Sequence, residues 1–340
     1  MIGLRQAAIS SALALTLAPA SIPQGYAAAP AAPHIYVVSQ EGASLSVIDT
    51  EKDEVVATVP VPGQPANAAI SADGSLAYVT AADDARISVI DLRTNTLLRV
   101  LPFAGMPFDV QLSADETGLY VTDWQGNALV HIRARDGREL ARVAVGAEPA
   151  HVAIAPDCSH LYTANRRGNT VSIVRAADMR QLARIPVGKA PFALAADEKH
   201  LFVANVGSND LSIIALATGQ AEKRIPTGAM PYGVALETER AWIALQQSGQ
   251  LLALAIDGQA QGTATRVGKF PEGVAITRGK AYVANWFDDD VSVVDLARAK
   301  VVKRIKMPAG PRGMALPSRC PRAVLNRVQE PGASASGKRP

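Results

Sequence analysis

From His34 to Leu316, short runs of alternating apolar and polar residues are broken by Gly, Asp, Asn and Pro. Four kinds of run recur in order. One opens on proline, as in Pro149-Ala150-His151-Val152-Ala153-Ile154, and ends at a turn such as Asp73-Gly74 or Asp115-Glu116. A second carries an aromatic residue, as in Leu161-Tyr162-Thr163-Ala164-Asn165. The third reads like Val291-Ser292-Val293-Val294-Asp295, and the fourth like Ala183-Arg184-Ile185-Pro186-Val187-Gly188. Period-two apolar runs rich in β-branched residues and bounded by turn formers predict strands. No stretch in this region has a helical period.

The runs form a repeat. A Gly-x-Pro or Gly-x-x-Pro corner places prolines at Pro65, Pro107, Pro149, Pro191, Pro231 and Pro271, and a Gly-Pro variant adds Pro311. The intervals are 42, 42, 42, 40, 40 and 40 residues. A second landmark keeps the same step: Tyr36, Tyr78, Tyr120, Tyr162, Phe202, Trp242 and Tyr282. Two landmarks in one register, with four strands per unit, predict an all-β, seven-bladed β-propeller of four-stranded blades. A lone blade has two apolar faces and covers neither. Stacking blades around an axis covers both, and closing the ring removes the terminal faces. Six units are complete. His34 to Val61 supplies the last three strands of a blade, and Pro311 to Leu316 supplies a first strand. The C-terminal strand is therefore expected to pair with the N-terminal three and close the ring.

The strand texts Tyr78-Val79-Thr80, Tyr120-Val121-Thr122-Asp123 and Tyr282-Val283-Ala284-Asn285, with Val47-Ile48-Asp49-Thr50 and the Pro-Val-Gly corners, resemble the YVTN repeat of exported bacterial β-propellers. The resemblance spans residues 34–317. It implies the propeller fold and export. It also implies kinship with binding modules and with propeller subunits of redox enzymes, and leaves the activity open, because propellers host many.

Arg5, an apolar run from Ala7 to Ala18 and small residues up to Ala29 read as a signal peptide over residues 1–27, with cleavage as late as 29. The run is too short for a bilayer span, so a soluble periplasmic or secreted protein is expected. The propeller is assigned to 34–317, and 318–340, rich in Pro, Gly, Ser and basic residues, to a mobile tail. Net charge is +3, part of it in that tail, so the near-neutral body gives poor ground for nucleic-acid binding. The two cysteines, Cys158 and Cys320, fall near the lower turns of blades far apart around the ring, and two unpaired thiols are expected.

Strand order puts the proline corners and the loops after each second strand on one face, the top. Only 5% of residues are aromatic, yet Phe108, Phe192 and Tyr232 follow corner prolines, and Trp124, Trp286 and Phe287 lie in top loops. Glu272 and Arg312 share the post-proline position, and Arg166 and Arg167 the loop after a second strand. Aromatic and Arg side chains anchor recognition sites. Asn67, Asp109 and His151 occupy one position in three consecutive blades. They are candidate ligands for a divalent metal at the channel mouth, or else a hydrogen-bonded polar ring. No cofactor is required by the sequence. No Gly-x-Ser-x-Gly elbow, phosphate-binding glycine loop or Cys-x-x-Cys-His haem site occurs. The expected function is a monomeric, non-catalytic propeller whose top face binds a small molecule or an exported protein, as an accessory to a redox or uptake system. The alternative is a metal-dependent enzyme of lactonase or lyase type.

Overall fold

The computed structural model describes residues 34–228, 230–256 and 262–320. The expected signal peptide and residues 321–340 lie outside them. Strands β1 (His34–Ser39), β2 (Ser44–Asp49) and β3 (Glu54–Pro60) open the chain. Six groups of four follow: β4–β7 over residues 65–102, β8–β11 over 107–144, β12–β15 over 149–186, β16–β19 over 191–226, β20–β23 over 231–266 and β24–β27 over 271–306. The last strand is β28 (Pro311–Ala315). Each group is one antiparallel sheet, and β28 joins the first three strands in the order β28-β1-β2-β3. Closure follows the expected plan, with Tyr36 opposite Ala315 and Val37 opposite Met314.

The first strand of each blade lies innermost. These strands pack in a closed cycle: β4 on β8, then β12, β16, β20, β24, β28 and back to β4. Seven apolar clusters form the core, one at each blade interface, so no blade face is left uncovered. The aromatic landmark of every second strand is buried, from Tyr36 at 3% exposure to Tyr282 at 0%. Removing such a side chain costs about 3–5 kcal/mol, which accounts for the strict aromatic register.

All seven inner strands carry a one-residue bulge just after the corner proline. A bulge re-aims side chains, and here it falls at the residues just after each corner proline.

The lower end corrects two expectations. Cys158 and Cys320 form a disulfide, with Cα atoms 5.9 Å apart. The chain also stays against the propeller past 317. Pro317 bridges Ile70, and the Ser318 amide donates to the Ile70 carbonyl at 2.9 Å. The chain then crosses beneath the channel, where Leu316 and Arg319 roof a cavity of about 220 Å³ with Ala195, Ala235, Ala275 and Met314. Separation around the ring had suggested that the cysteines were out of reach. The short path across its centre brings them together.

Candidate functional site

Two rings of side chains meet at the upper mouth. The inner ring is the residue after each corner proline. Ala66 and Ala150 are small and buried, which lets their larger neighbours converge over them. Phe108 reaches Phe192 across Ala150, with ring centroids 5.9 Å apart, and Phe192 lies 4.0 Å from Tyr232. Past Ala66, the Arg312 guanidinium lies 5.6 Å from the Phe108 ring. Arg312 donates to the Tyr232 hydroxyl at 3.0 Å and pairs with Glu272 at 3.3 Å. These contacts close into a packed floor.

The outer ring stands four residues beyond each aromatic landmark. It comprises Gln40, Ala82, Trp124, Arg166, Val206, Gln246 and Trp286. Trp124 packs on Phe108 at 4.7 Å, and the Arg166 guanidinium sits 5.9 Å from the Trp124 ring. The Trp286 ring also lies 5.5 Å from the Arg312 guanidinium, in a short 3₁₀ turn over Trp286–Asp288. Gln40 accepts from Arg312 at 3.0 Å, and the Gln246 amide donates to Glu272 at 2.9 Å. Sequence reasoning missed Gln40, although its register with Trp124 and Trp286 was a usable signal.

Burial governs the electrostatics. Glu272 is 6% exposed, and desolvation holds its carboxyl above the ordinary range against the pull of Arg312 and Gln246. Desolvation likewise raises the Tyr232 hydroxyl. Burial disfavours the Arg312 cation, but Tyr232 and Glu272 outweigh it and hold the guanidinium charged. The Arg312 cation thus lies 5.6 and 5.5 Å from two aromatic rings and beside one buried counter-ion, whose Oε2 makes the ion pair but no hydrogen bond.

Asn67, Asp109 and His151 do not converge. Asp109 is 3% exposed and turns into the blade interface, where its Oδ2 accepts the Val152 amide at 2.8 Å and lies 3.6 Å from Nε2 of His151. Burial raises its pKa, opposed by His151 and by the Val152 and Val110 amides. Asn67 presents its amide oxygen to Gly313, on the far side of β4 from β8: a Cβ added to that glycine would meet it at 2.6 Å. The equivalent Gly233 and Gly273 show what the position does. A Cβ at either would lie 2.1 Å from a carbonyl oxygen of the next inner strand. Among the described residues, no group of three or more His, Cys, Asp or Glu is placed to hold a metal. Asp109 ties β8 to β12, and His151 packs beside it with Nδ1 buried and unbonded.

The remaining candidates lie at the rim. Arg166 and Arg167 flank a single carboxylate, Glu148, each at 3.7 Å. Phe287 is 64% exposed and packs on Phe270 at 4.9 Å, away from the floor contacts. Asn165, Asn205 and Asn285, which end second strands, are fully buried and bond across their own blades. They belong to the repeat scaffold.

No family profile and no curated protein matches the chain. Solved structures do, and they share its fold. Kuenenia stuttgartiensis hydrazine synthase superposes with a TM-score of 0.67 at 20% identity, covering 81% of this chain and 99% of that one. The dihydro-heme d1 dehydrogenase NirN, solved in complex with DHE, gives 0.67 at 18% identity, covering 89% and 78%. Virginiamycin B lyase from Staphylococcus aureus gives 0.64 at 13% identity, covering 74% and 87%. At these identities the likeness shows the seven-bladed propeller fold alone.

Proposed function

We propose that the protein is an exported, non-catalytic propeller of the YVTN-repeat type that binds a small molecule or a protein partner through its upper mouth. It serves there as an accessory to a periplasmic redox or uptake system. The observation that carries this reading is the aromatic floor. Phe108, Phe192, Tyr232 and the flanking Trp124 and Trp286 gather a scarce residue type around one charged group, Arg312. Among the described residues, the lower turns offer no comparable cluster. Export is supported by the disulfide, since such bonds persist in oxidising compartments and are rare in the cytosol. NirN, whose structure was solved with DHE, offers a precedent for a related fold that holds a ligand.

A screen of small molecules by ligand-detected NMR tests the reading. Compounds that bind should lose about tenfold in affinity, ~1.4 kcal/mol, on Trp124→Ala. They should be unaffected by Asp73→Ala combined with Asp157→Ala in the lower turns. The opposite pattern would put the site on the other face.

The lyase or lactonase reading rests on the Asp109–His151 pair and on fold likeness to virginiamycin B lyase. It requires a metal that the Asn67–Asp109–His151 set is poorly placed to hold. Metal analysis of chelator-free protein decides it: a stoichiometric divalent ion lost on His151→Ala would favour the enzyme.

A further inference from the structure

The carboxylates around the floor are already engaged. Glu272 faces Arg312 and Gln246. Asp109 takes the Val152 amide. Asp123, just before Trp124, is 2% exposed and holds Arg142 at 2.7 Å together with the Met106 and Gly126 amides. Arg166 and Arg167 differ. Two guanidiniums share Glu148 at 3.7 Å each, beyond hydrogen-bond distance, so one positive charge is left over. Their side chains are 43% and 78% exposed, so their N–H groups are open to a ligand. The corner fixes the arrangement: Glu148 sits at φ 51° with its amide bonded to Asn127. This surplus charge borders the Trp124 ring, which continues into the floor through Phe108.

We propose that the upper mouth takes a planar aromatic carboxylate, its ring on the aromatic floor beside Trp124 and its carboxylate between Arg166 and Arg167. The proposal rests on the top-face reading above and adds the ligand class. Guanidinium and carboxylate match in fork geometry, and aromatic rings favour offset or tilted stacking. A cationic ligand would meet two guanidiniums and find the nearby carboxylates occupied.

The test uses 2-naphthoate and its cationic counterpart 2-naphthylmethylammonium, titrated into the full oxidised protein. Quenching of tryptophan fluorescence is the readout, with Trp124 and Trp286 at the mouth and Trp242 buried. Naphthoate should bind at least about tenfold more tightly than the ammonium probe. Arg166→Ala with Arg167→Ala should abolish that preference, bringing naphthoate down to the affinity of neutral 2-naphthylmethanol for the same variant. Glu148→Gln, which removes the competing carboxylate, should tighten naphthoate several-fold. Equal or tighter binding of the ammonium probe overturns the proposal, as does naphthoate affinity that survives the double arginine change. Failure of naphthoate to bind at all overturns the ligand class, while the NMR screen judges the face independently.

Discussion

Replacing Cys158 and Cys320 by serine tests the lower closure directly. The bond joins residues 162 apart. The chain-entropy relation for a loop of that length gives about 5 kcal/mol at 25 °C. Residual structure in the unfolded chain lowers such values, and about 3 kcal/mol is the working figure. At roughly 2.1 cal/mol/K per residue, a folded body of about 290 residues unfolds with an entropy near 0.6 kcal/mol/K. The double variant should therefore melt about 5 °C below the oxidised wild type, with about 8 °C as the upper value. Circular dichroism melts with and without reductant measure this. Each single serine variant should lose as much as the double one, because either change removes the same bond, and reduced wild type should match them all. The oxidised protein should show no reactive thiol under denaturing conditions. Single-variant losses that add, or a wild-type Tm indifferent to reductant, would refute the bond.

Arg312→Ala should lower stability by about 3 kcal/mol, because it leaves the Glu272 carboxylate buried without its counter-ion; urea denaturation checks this, and a loss under about 1 kcal/mol would mean the pair is solvated. Asp109, raised by burial, keeps its proton to higher pH in the folded chain than in the unfolded one. Its contribution is thus full below about pH 4 and lost as pH rises through the folded value. The stability of wild type minus that of Asp109→Asn should fall as pH rises above about 4, and a flat difference would contradict the burial argument.

The architecture was legible because it is written twice over, in seven corner prolines and in seven aromatic landmarks that keep the same step. Complementary fragments at the two ends then left one way to close the ring. The disulfide was not legible, because counting blades measures distance along the circumference. Only the course of residues 316–320 across the lower mouth shows how short the direct path is. Asp109 was misjudged for a related reason. Its register with Asn67 and His151 suggested an arc around the channel, but that position faces the neighbouring inner strand. Gly233, Gly273 and Gly313 at the same place held the clue, since glycine there signals close backbone approach. The aromatic floor was half legible. The sequence showed that large residues gather on one face, and the small Ala66 and Ala150 between them explain how they touch.

The order of synthesis gives the lower bond a further meaning. Cys158 is made 162 residues before its partner. Until residues 311–315 emerge, β1–β3 lack their fourth strand, and until Cys320 follows, Cys158 is a lone thiol. A chain that stops short of residue 320 by even a single codon keeps that thiol for good. The sulfur bond is therefore a chemical certificate that the chain has passed its last strand. It distinguishes a chain that reaches residue 320 from any product that stops earlier, by a property that a thiol-reactive dye can read in the test tube and a thiol-scanning oxidoreductase can read in the compartment where the protein folds.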